Sequence, residues 1–299
     1  MSAHEVETNQ IDDLNRRSLF GKIGTGAAGA LALGAMAAGG VAATVQPAAA
    51  QAAVTDTDIL NFALNLEYLE AEYYLRAFTG SGLQAADTTG TGTQGSVTGG
   101  SQVPFKSAAI AAYAQRLAVD EQTHVRFLRA VLGTNAVAEP TIEFTAAFTN
   151  LAVAAGLIVA GQTFNPFADD VSFLLGAFVF EDVGVTAYNG AATLIQDKTV
   201  LQAAASILAI EAYHAGSIRT LLANIGAGVA ANAISKLRGQ LGGGMEQGIL
   251  IPGLSYNAVA ADVESLAFRR TTAQVLPIVY GGPSGPGLFF PAGLNGKIR

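Results

Sequence analysis

Two stretches decide the fold: residues 117–128 read LAVDEQTHVRFL, and residues 207–218 read ILAIEAYHAGSI. Both are apolar at the spacing of one helical face. The first contains Glu121 and, three positions later, His124, and the second repeats this Glu-x-x-His spacing. Because residues three apart lie on the same side of a helix, each pair falls within the apolar stripe rather than on the polar face.

Working outward from these stretches, the apolar periodicity predicts four long helices. Gly176 and Gly184 lie inside the third, where each costs about 1 kcal/mol relative to Ala, which indicates close approach of the helix backbone to a neighbour. The helices are predicted to run from Asp56 to about Phe78, from about Pro104 to Leu132, from about Ala168 to Gln196, and from about Thr199 to Asn224.

The connections between these helices differ in length and composition. Residues 79–103 are mostly Gly, Ser and Thr and predict a flexible connection without a core of its own. Residues 141–158 predict a weaker helix inside a long crossover. Two helical hairpins joined by such a crossover are the connectivity of a ferritin-like bundle. Beyond the bundle, residues 228–240 and 260–276 predict short helices, and the Gly/Pro-rich residues 281–296 predict a strap across the bundle.

Ionisable side chains lie in the middle of the apolar stripe on all four predicted helices. Four ionised carboxylates in one helical core would be strongly unfavourable because of desolvation and mutual repulsion. Two divalent cations would neutralise them, and two neutral imidazoles would complete the ligand set, as in di-iron and di-manganese bundles. We therefore predict two Mn or Fe ions between Glu67, Glu121, His124, Glu181, Glu211 and His214.

A single Glu-x-x-His is most often an ordinary surface pair, so the prediction depends on the set. Of the three histidines, His4 lies near the N-terminus, and both of the others follow a Glu by three positions. Because no cysteine is present, thiolate ligands and disulfides are excluded. Any metal must therefore bind to carboxylate and imidazole groups.

Several neighbouring residues have more than one interpretation. Glu70 shares the inward stripe with Glu67 and either hydrogen-bonds a metal ligand or lies at a partly exposed end of the site. Glu72 is predicted to face outward. Asp120 and Asp182 point about 100° away from the adjacent ligands, so they are either solvated or orient a residue on another helix. Three tyrosines are interpreted as core or boundary aromatics, any of which can also approach the metals: Tyr74, Tyr188 and Tyr213.

The first fifty residues have the pattern of an export signal. Arg16-Arg17-Ser18-Leu19-Phe20 precedes an apolar run over residues 23–45 and a small-residue site ending at Ala50. This order predicts a twin-arginine signal that is cleaved after Ala50, with a membrane anchor as the alternative. The remaining chain would be periplasmic or secreted, with no other membrane span. Residues 51–226 would form the bundle and residues 227–299 an extension packed on it.

The charge of the remaining chain limits its partners. Residues 51–299 contain 13 Lys and Arg against 19 Asp and Glu, which leaves a net charge of −6. Nucleic acid is therefore not an expected partner. Association with further copies of the chain stays open.

Three segments resemble a known family: NFALNLEYLEAEYY at residues 61–74, FEDVG at residues 180–184, and FFPAGLNG at residues 289–296. They are similar to the ferritin-like domain family that includes the plant desiccation-related proteins, and the resemblance extends over nearly all of residues 56–296. It implies the bundle fold and an association with stress or desiccation. It implies no single reaction.

Three functions remain compatible with the sequence. The favoured one is redox chemistry in which a small-molecule oxidant, peroxide or dioxygen, reacts at the metal pair, in a version resembling manganese catalase. The second is metal binding or iron storage without substrate chemistry. The third is a structural role in stress protection, in which the metals only hold the bundle together.

Overall fold

The computed structural model describes residues 54–299, so the predicted signal over residues 1–50 lies outside the described residues. Within the described part the chain forms eight α-helices, a single 3₁₀ turn (Gly133–Asn135) and two short strands, β1 (Val97–Thr98) and β2 (Ile142–Glu143). The helices are α1 (Asp56–Thr79), α2 (Ala85–Thr88), α3 (Ala108–Leu132), α4 (Thr145–Ala154), α5 (Asp170–Ala191), α6 (Lys198–Asn224), α7 (Gly228–Leu241) and α8 (Thr272–Tyr280).

Polar caps set the starts of the four long helices. Thr55, Ser107, Asp169 and Asp197 each accept a hydrogen bond from a backbone N–H of the first turn. Such caps satisfy N–H groups that have no partner inside the helix. They explain why α3 and α5 begin at residues 108 and 170, later than the predicted starts near residues 104 and 168.

The four long helices form two hairpins. Helix α1 packs mainly on α3, and α5 packs mainly on α6, while contacts between α1 and α5 join the hairpins. The crossover from α3 to α5 spans residues 133–169 and contains β2 and α4. The predicted all-α bundle with a long crossover is thereby confirmed. Helix α5 is long and apolar enough to cross a membrane by composition, but 83% of that stretch is buried inside the protein.

An aromatic cluster joins α1 to the crossover and to α5. The Tyr73 ring stacks on Phe173, with centroids 5.8 Å apart, and its hydroxyl donates a 2.9 Å hydrogen bond to the Phe173 carbonyl oxygen. A Cβ at Gly176 would lie 2.1 Å from the Tyr73 hydroxyl oxygen. The close approach predicted at Gly176 is confirmed, because only a residue without a side chain leaves room for this hydroxyl.

Residues 79–103 do not form the featureless connection that their composition predicts. Strand β1 pairs in parallel with β2, so that Val97 lies opposite Ile142. Backbone hydrogen bonds from Thr91 N to Ala136 O (2.9 Å) and from Ala138 N to Thr91 O (2.8 Å) extend this pairing. The prediction was wrong because small polar residues let the backbone itself, rather than side chains, attach the segment to the crossover.

Glu72 is buried against this segment, with 2% of its surface exposed. Its carboxylate accepts hydrogen bonds from Arg76 Nε (2.6 Å) and from the Leu83 backbone N–H (2.7 Å). The prediction that Glu72 faces outward was wrong, because the chain after α1 folds back over that side of the helix.

The C-terminal residues lie against the bundle. Helix α7 agrees with the helix predicted over residues 228–240, whereas the next helix starts at Thr272 instead of residue 260 because a capping box between Thr271 and Gln274 begins it there. Residues 281–296 cross the bundle: the Asn295 N–H donates to Asn65 Oδ1 (3.0 Å) on α1. The domain boundary near residue 226 stays a prediction.

A buried ionic network also connects these residues to the bundle. Asp182 on α5 accepts hydrogen bonds from Arg219 on α6 (2.8 Å) and from Arg238 on α7 (2.6 Å). Arg238 and Arg270 both contact Glu246. Of the two interpretations of Asp182, solvation is therefore excluded, and contact with a neighbouring helix is observed.

Candidate metal centre

The six predicted ligands come from the four long helices and meet in the interior of the bundle. Each is at most 8% exposed. Helices α1 and α5 supply one Glu each, and α3 and α6 supply the two Glu-x-x-His pairs. The six are Glu67, Glu121, His124, Glu181, Glu211 and His214.

Their possible ligand atoms form two overlapping groups. In each group, one atom per residue lies within 4.8 Å of the others. Glu121 and Glu211 belong to both groups. Glu67 and His124 belong to one group only, and Glu181 and His214 belong to the other only. The two residues common to both groups are thus the Glu of each Glu-x-x-His pair. The first group is Glu67, Glu121, His124 and Glu211, and the second is Glu121, Glu181, Glu211 and His214.

Both imidazoles direct Nδ1 toward the carboxylates. His124 Nδ1 lies 3.0 Å from Glu121 Oε2 and 3.3 Å from Glu67 Oε2. His214 Nδ1 lies 3.0 Å from Glu121 Oε1 and 3.3 Å from Glu181 Oε2. Glu121 therefore lies between the two imidazoles, with one oxygen facing each.

Burial separates the pKa values of the carboxyl groups. Desolvation raises the pKa of Glu67 to about 7, an effect that His124 opposes. Desolvation and repulsion from Glu121 raise the pKa of Glu211 well above its usual value. Burial would also raise the pKa of Glu121, but its hydrogen bonds with His124 and His214 outweigh this effect and lower it. The carboxyl between the imidazoles is thus the one that ionises most readily.

The pKa values of both imidazoles move upward. Burial alone would lower the pKa of His124 and His214, but the charges of Glu67 and Glu181, respectively, outweigh burial, and hydrogen bonds to Glu121 add to the rise. Without a bound cation, imidazolium protons therefore supply part of the positive charge that the carboxylates require. A divalent cation that binds through Nδ1 must displace these protons.

Several buried carboxylate oxygens have no well-oriented hydrogen-bond donor within residues 54–299. At the centre they are one oxygen each of Glu67, Glu121 and Glu181 and both oxygens of Glu211, and away from the centre one oxygen of Glu139. Buried polar atoms are nearly always satisfied, so unpaired ones indicate a missing partner. All except the Glu139 oxygen belong to residues of the two groups of candidate ligands, and carboxylate oxygen with imidazole nitrogen suits a divalent cation. The residues present therefore fit a pair of divalent cations.

Two tyrosines orient the outer carboxylates. Tyr188 on α5 donates a hydrogen bond to Glu67 Oε1, and Tyr74 on α1 donates one of 2.5 Å to Glu181 Oε1. In each case the other oxygen, Oε2, is the one that lacks a donor. Each hydroxyl thus fixes one carboxylate oxygen and leaves its partner facing the centre.

Asp120 orients an imidazole. His214 Nε2 lies 3.1 Å from Asp120 Oδ2, and Arg116 contacts the same carboxylate at 2.5 Å. When Nε2–H donates to a carboxylate, the lone pair is on Nδ1, where a metal can bind. Of the two interpretations of Asp120, the structure shows contact with a neighbouring helix.

Glu70 is a further buried carboxyl, with 5% of its surface exposed, so a partly exposed position is excluded. Burial, followed by repulsion from Glu181, raises the pKa of Glu70 well above its usual value. It belongs to neither group of candidate ligands among the described residues. A hydrogen bond from Glu70 to a metal ligand stays a prediction.

Sequence reasoning did not distinguish the tyrosines from one another. Tyr213 is 71% exposed and lies away from the centre, whereas Tyr74 and Tyr188 contact it. A usable signal exists in the spacing: Tyr74 follows Glu67 by seven residues, and Tyr188 follows Glu181 by seven. Seven residues are about two helical turns, so each tyrosine lies on the face of its helix that carries the Glu.

The long crossover and the buried set of four Glu and two His define the class: a ferritin-like four-helix bundle with a candidate dinuclear metal centre. Comparison with known proteins agrees. The family model described as "Ferritin-like domain" matches residues 55–224, more than half of the chain. The chain belongs to the ferritin-like domain family.

Two characterised relatives are similar over most of their length. The ferritin-like catalase Nec2 of Nesocodon mauritianus is 29% identical over 269 residues, which cover 81% of this chain and 84% of the relative. The desiccation-related protein PCC13-62 of Craterostigma plantagineum is 30% identical with the same coverage. No solved structure matches the chain. The predicted resemblance to desiccation-related proteins is confirmed, and the twin-arginine signal stays a prediction.

Proposed function

We propose that this protein is an exported dinuclear Mn or Fe protein that carries out redox chemistry on peroxide or dioxygen in protection against stress. One observation carries the proposal. Carboxylate oxygens without a well-oriented hydrogen-bond donor lie close to the Nδ1 atoms of His124 and His214 in one buried space. The similarity to a relative named as a ferritin-like catalase favours peroxide as the substrate. Redox equivalents and an open coordination position would come from the metal pair when it is bound.

The chain's own residues would hold the metals in a defined geometry. Glu121 and Glu211 belong to both groups of candidate ligands, so each would help to hold both ions. Tyr188 and Tyr74 fix the outer carboxylates, and Asp120 fixes the tautomer of an imidazole. Preorganised ligands of this kind avoid a reorganisation cost during reaction.

Glu70 would handle a proton. Burial and repulsion from neighbouring carboxylates raise the pKa of its carboxyl, and it lies beside the centre rather than among the ligands. Converting two peroxides to dioxygen and two waters requires protons to pass from one peroxide to the other. A buried carboxyl beside the centre can give its proton to one peroxide and take a proton back from the other.

Metal content and turnover test the proposal together. The purified protein is expected to bind about two ions per chain and to consume peroxide. Glu211→Gln is expected to lose at least one ion and more than ~100-fold of the turnover, because Glu211 belongs to both groups of candidate ligands. Glu264→Gln, the same change at an exposed position, serves as the control. Two bound ions without peroxide consumption and without oxidase or ferroxidase turnover would contradict the redox function.

A structural role of the metals is the second candidate. It is favoured by the complete burial of Glu121, Glu181 and Glu211, each 0% exposed, and by the relative named as desiccation-related. In that case the ions raise the unfolding temperature, since they bind only the folded chain, but no oxidant is consumed. Unfolding measured with and without metal, beside the turnover assay, separates the two candidates.

Export through a twin-arginine signal is part of the proposal. Such export moves folded proteins, so that the metals can be loaded in the cytoplasm before release. Replacing Arg16 and Arg17 together by Lys is expected to retain the protein in the cytoplasm, whereas Lys22→Arg leaves export unchanged. Cell fractionation with immunoblotting measures both. Equal export of the double variant would exclude this signal.

A further inference from the structure

An apolar pocket lies between α3 and α6 and is also lined by Leu60 of α1 and Tyr188 of α5. Its volume is about 180 Å³, and its lining is apolar apart from Thr199 and the Tyr188 side chain. Phe127 and Val131, which are 40% and 48% exposed, lie at its outer edge, so the pocket faces solvent there. We call this the outer pocket.

A second cavity lies deeper, between α1 and α5, and we call it the inner cavity. It holds about 20 Å³, which is room for roughly one small molecule. Its lining is mainly apolar but includes Glu67, a candidate ligand, and the buried carboxyl of Glu70. Gly184 also lines it, and its missing side chain leaves room for the Glu211 carboxylate, which a Cβ would approach to 2.0 Å.

The two spaces share a wall. Leu60, Tyr188 and Ala204 line both of them. Tyr188 is held in place by its hydrogen bond to Glu67, and Ala204 has no side chain that can rotate. Leu60 is therefore the part of the wall whose side chain can change rotamer.

We propose that the outer pocket, the Leu60 wall and the inner cavity form a passage for dioxygen between solvent and the Glu67 side of the metal centre. This inference rests on the proposed function, in which dioxygen is either the product of peroxide breakdown or the oxidant. Apolar walls favour a small uncharged gas and disfavour ions, which would lose their hydration without compensation. Dioxygen leaves through the passage if it is the product and enters through it if it is the oxidant.

Xenon tests the passage without any metal, because it binds in apolar cavities. Crystals of the purified protein under xenon pressure are expected to show xenon in the outer pocket. Ala203→Phe, which places a ring inside that pocket, is expected to remove it. Ala205→Phe lies on the same helix but at an exposed position outside the pocket, and it is expected to leave xenon bound.

A second measurement follows access to the centre itself. Nitric oxide is an uncharged diatomic molecule, and its association with the iron(II)-loaded protein can be timed by stopped flow without turnover. Ala203→Phe is expected to slow association by at least ~10-fold, and Ala205→Phe to leave it unchanged, at equal iron content. Val200→Phe fills the same pocket and replaces Ala203→Phe if the latter does not fold.

The outcomes separate the passage from the proposed function. Absence of xenon from the outer pocket of the unmodified protein, or an unchanged association rate when the pocket is filled, overturns the passage even if peroxide is consumed. Xenon in the pocket of a chain that binds neither iron nor manganese overturns the proposed function, and the assignment to dioxygen with it.

Discussion

At the scale of single residues, the centre depends on a reciprocal exchange between two helices. Tyr74 follows Glu67 on α1 and Tyr188 follows Glu181 on α5, yet each tyrosine donates its hydrogen bond to the Glu of the other helix. The exchange couples the positions of the two outer carboxylates. It also satisfies two phenol groups that would otherwise be buried without acceptors.

Tyr188→Phe is expected to weaken metal binding by about 10–100-fold while preserving the fold, because Glu67 loses the donor that orients it. Competition with a chelator measures the affinity. Tyr213→Phe removes the same hydroxyl from a tyrosine that is 71% exposed and is expected to change nothing. An affinity as high for Tyr188→Phe as for the control would exclude the orienting role.

The pKa directions predict opposite effects of pH on the two forms of the protein. The folded-state pKa of Glu67 is raised from 4.5 to about 7, so its contribution to stability is fully present below pH 4.5 and is lost as the pH rises toward 7. The raised pKa values of His124 and His214 likewise reduce the stability of the metal-free protein as the pH rises above 6.5. The unfolding temperature of the metal-free protein is therefore expected to fall between pH 5 and pH 8.

The metal-loaded form is expected to behave in the opposite way over the same range, because metal ions displace protons from Nδ1 and from carboxyl oxygens, so that affinity rises with pH. Thermal unfolding at several pH values measures both forms, and calorimetry in buffers of different ionisation enthalpy measures the released protons. Parallel pH profiles of the two forms would contradict the protonated state inferred for the metal-free centre.

At the scale of helices, glycines in α5 let side chains of neighbouring elements approach its backbone closely. Gly184 faces Glu211 of α6, and the carboxylate occupies the space that a Cβ would need. The close approach that was expected at Gly184 is thus the approach of Glu211, a candidate ligand on the neighbouring helix. Gly216 on α6 is different, because a Cβ there would meet only the Ala258 carbonyl oxygen at an ordinary 3.5 Å.

These two glycines form a matched pair for mutation. Ala gains about 1 kcal/mol over Gly in a helix interior, so Gly216→Ala is expected to stabilise the protein slightly without changing metal content. Gly184→Ala must displace the Glu211 carboxylate and is expected to reduce bound metal despite the same gain in propensity. Elemental analysis and denaturant unfolding measure the two effects. Equal metal content in both variants would show that Glu211 is not needed as a ligand.

At the scale of the whole molecule, the residues after the bundle are attached to it by buried charge. Asp182, Arg219, Arg238, Glu246 and Arg270 lie in one network, and the Arg238 guanidinium also lies 4.3 Å from the centre of the Phe178 ring. A buried network of this kind is costly when it loses a single member, because the remaining charge stays desolvated. The network therefore links α5, α6 and α7 to the residues that follow them.

Arg238→Ala is expected to reduce the free energy of unfolding by about 3–5 kcal/mol, because Asp182 and Glu246 lose a buried cation together. Lys236→Ala, two residues earlier and exposed, is expected to change it by less than ~0.5 kcal/mol. Urea denaturation followed by circular dichroism measures both. A loss below about 1 kcal/mol for Arg238→Ala would mean that water replaces the guanidinium without penalty.

Much of the fold and of the candidate site was predictable because it depends on helical periodicity. The stripe that contains Glu121 and His124 predicts both a core helix and a buried ligand pair, and the structure brings this pair together with the other four predicted residues. Their role as metal ligands stays a prediction. The starts of α3 and α5 were less accurate, since they depend on which polar residue caps the first turn.

The sequence by itself determined the four helices, their connectivity and the six ionisable side chains that face one another. These follow from spacing along one helix, which is a local property. Tertiary structure alone decided that Tyr188 reaches Glu67, that Glu72 is buried beneath residues 79–103, and that Asp182 meets Arg238. The partners in these contacts are distant in sequence, and their meeting depends on how separate elements pack, which no periodicity within one element specifies.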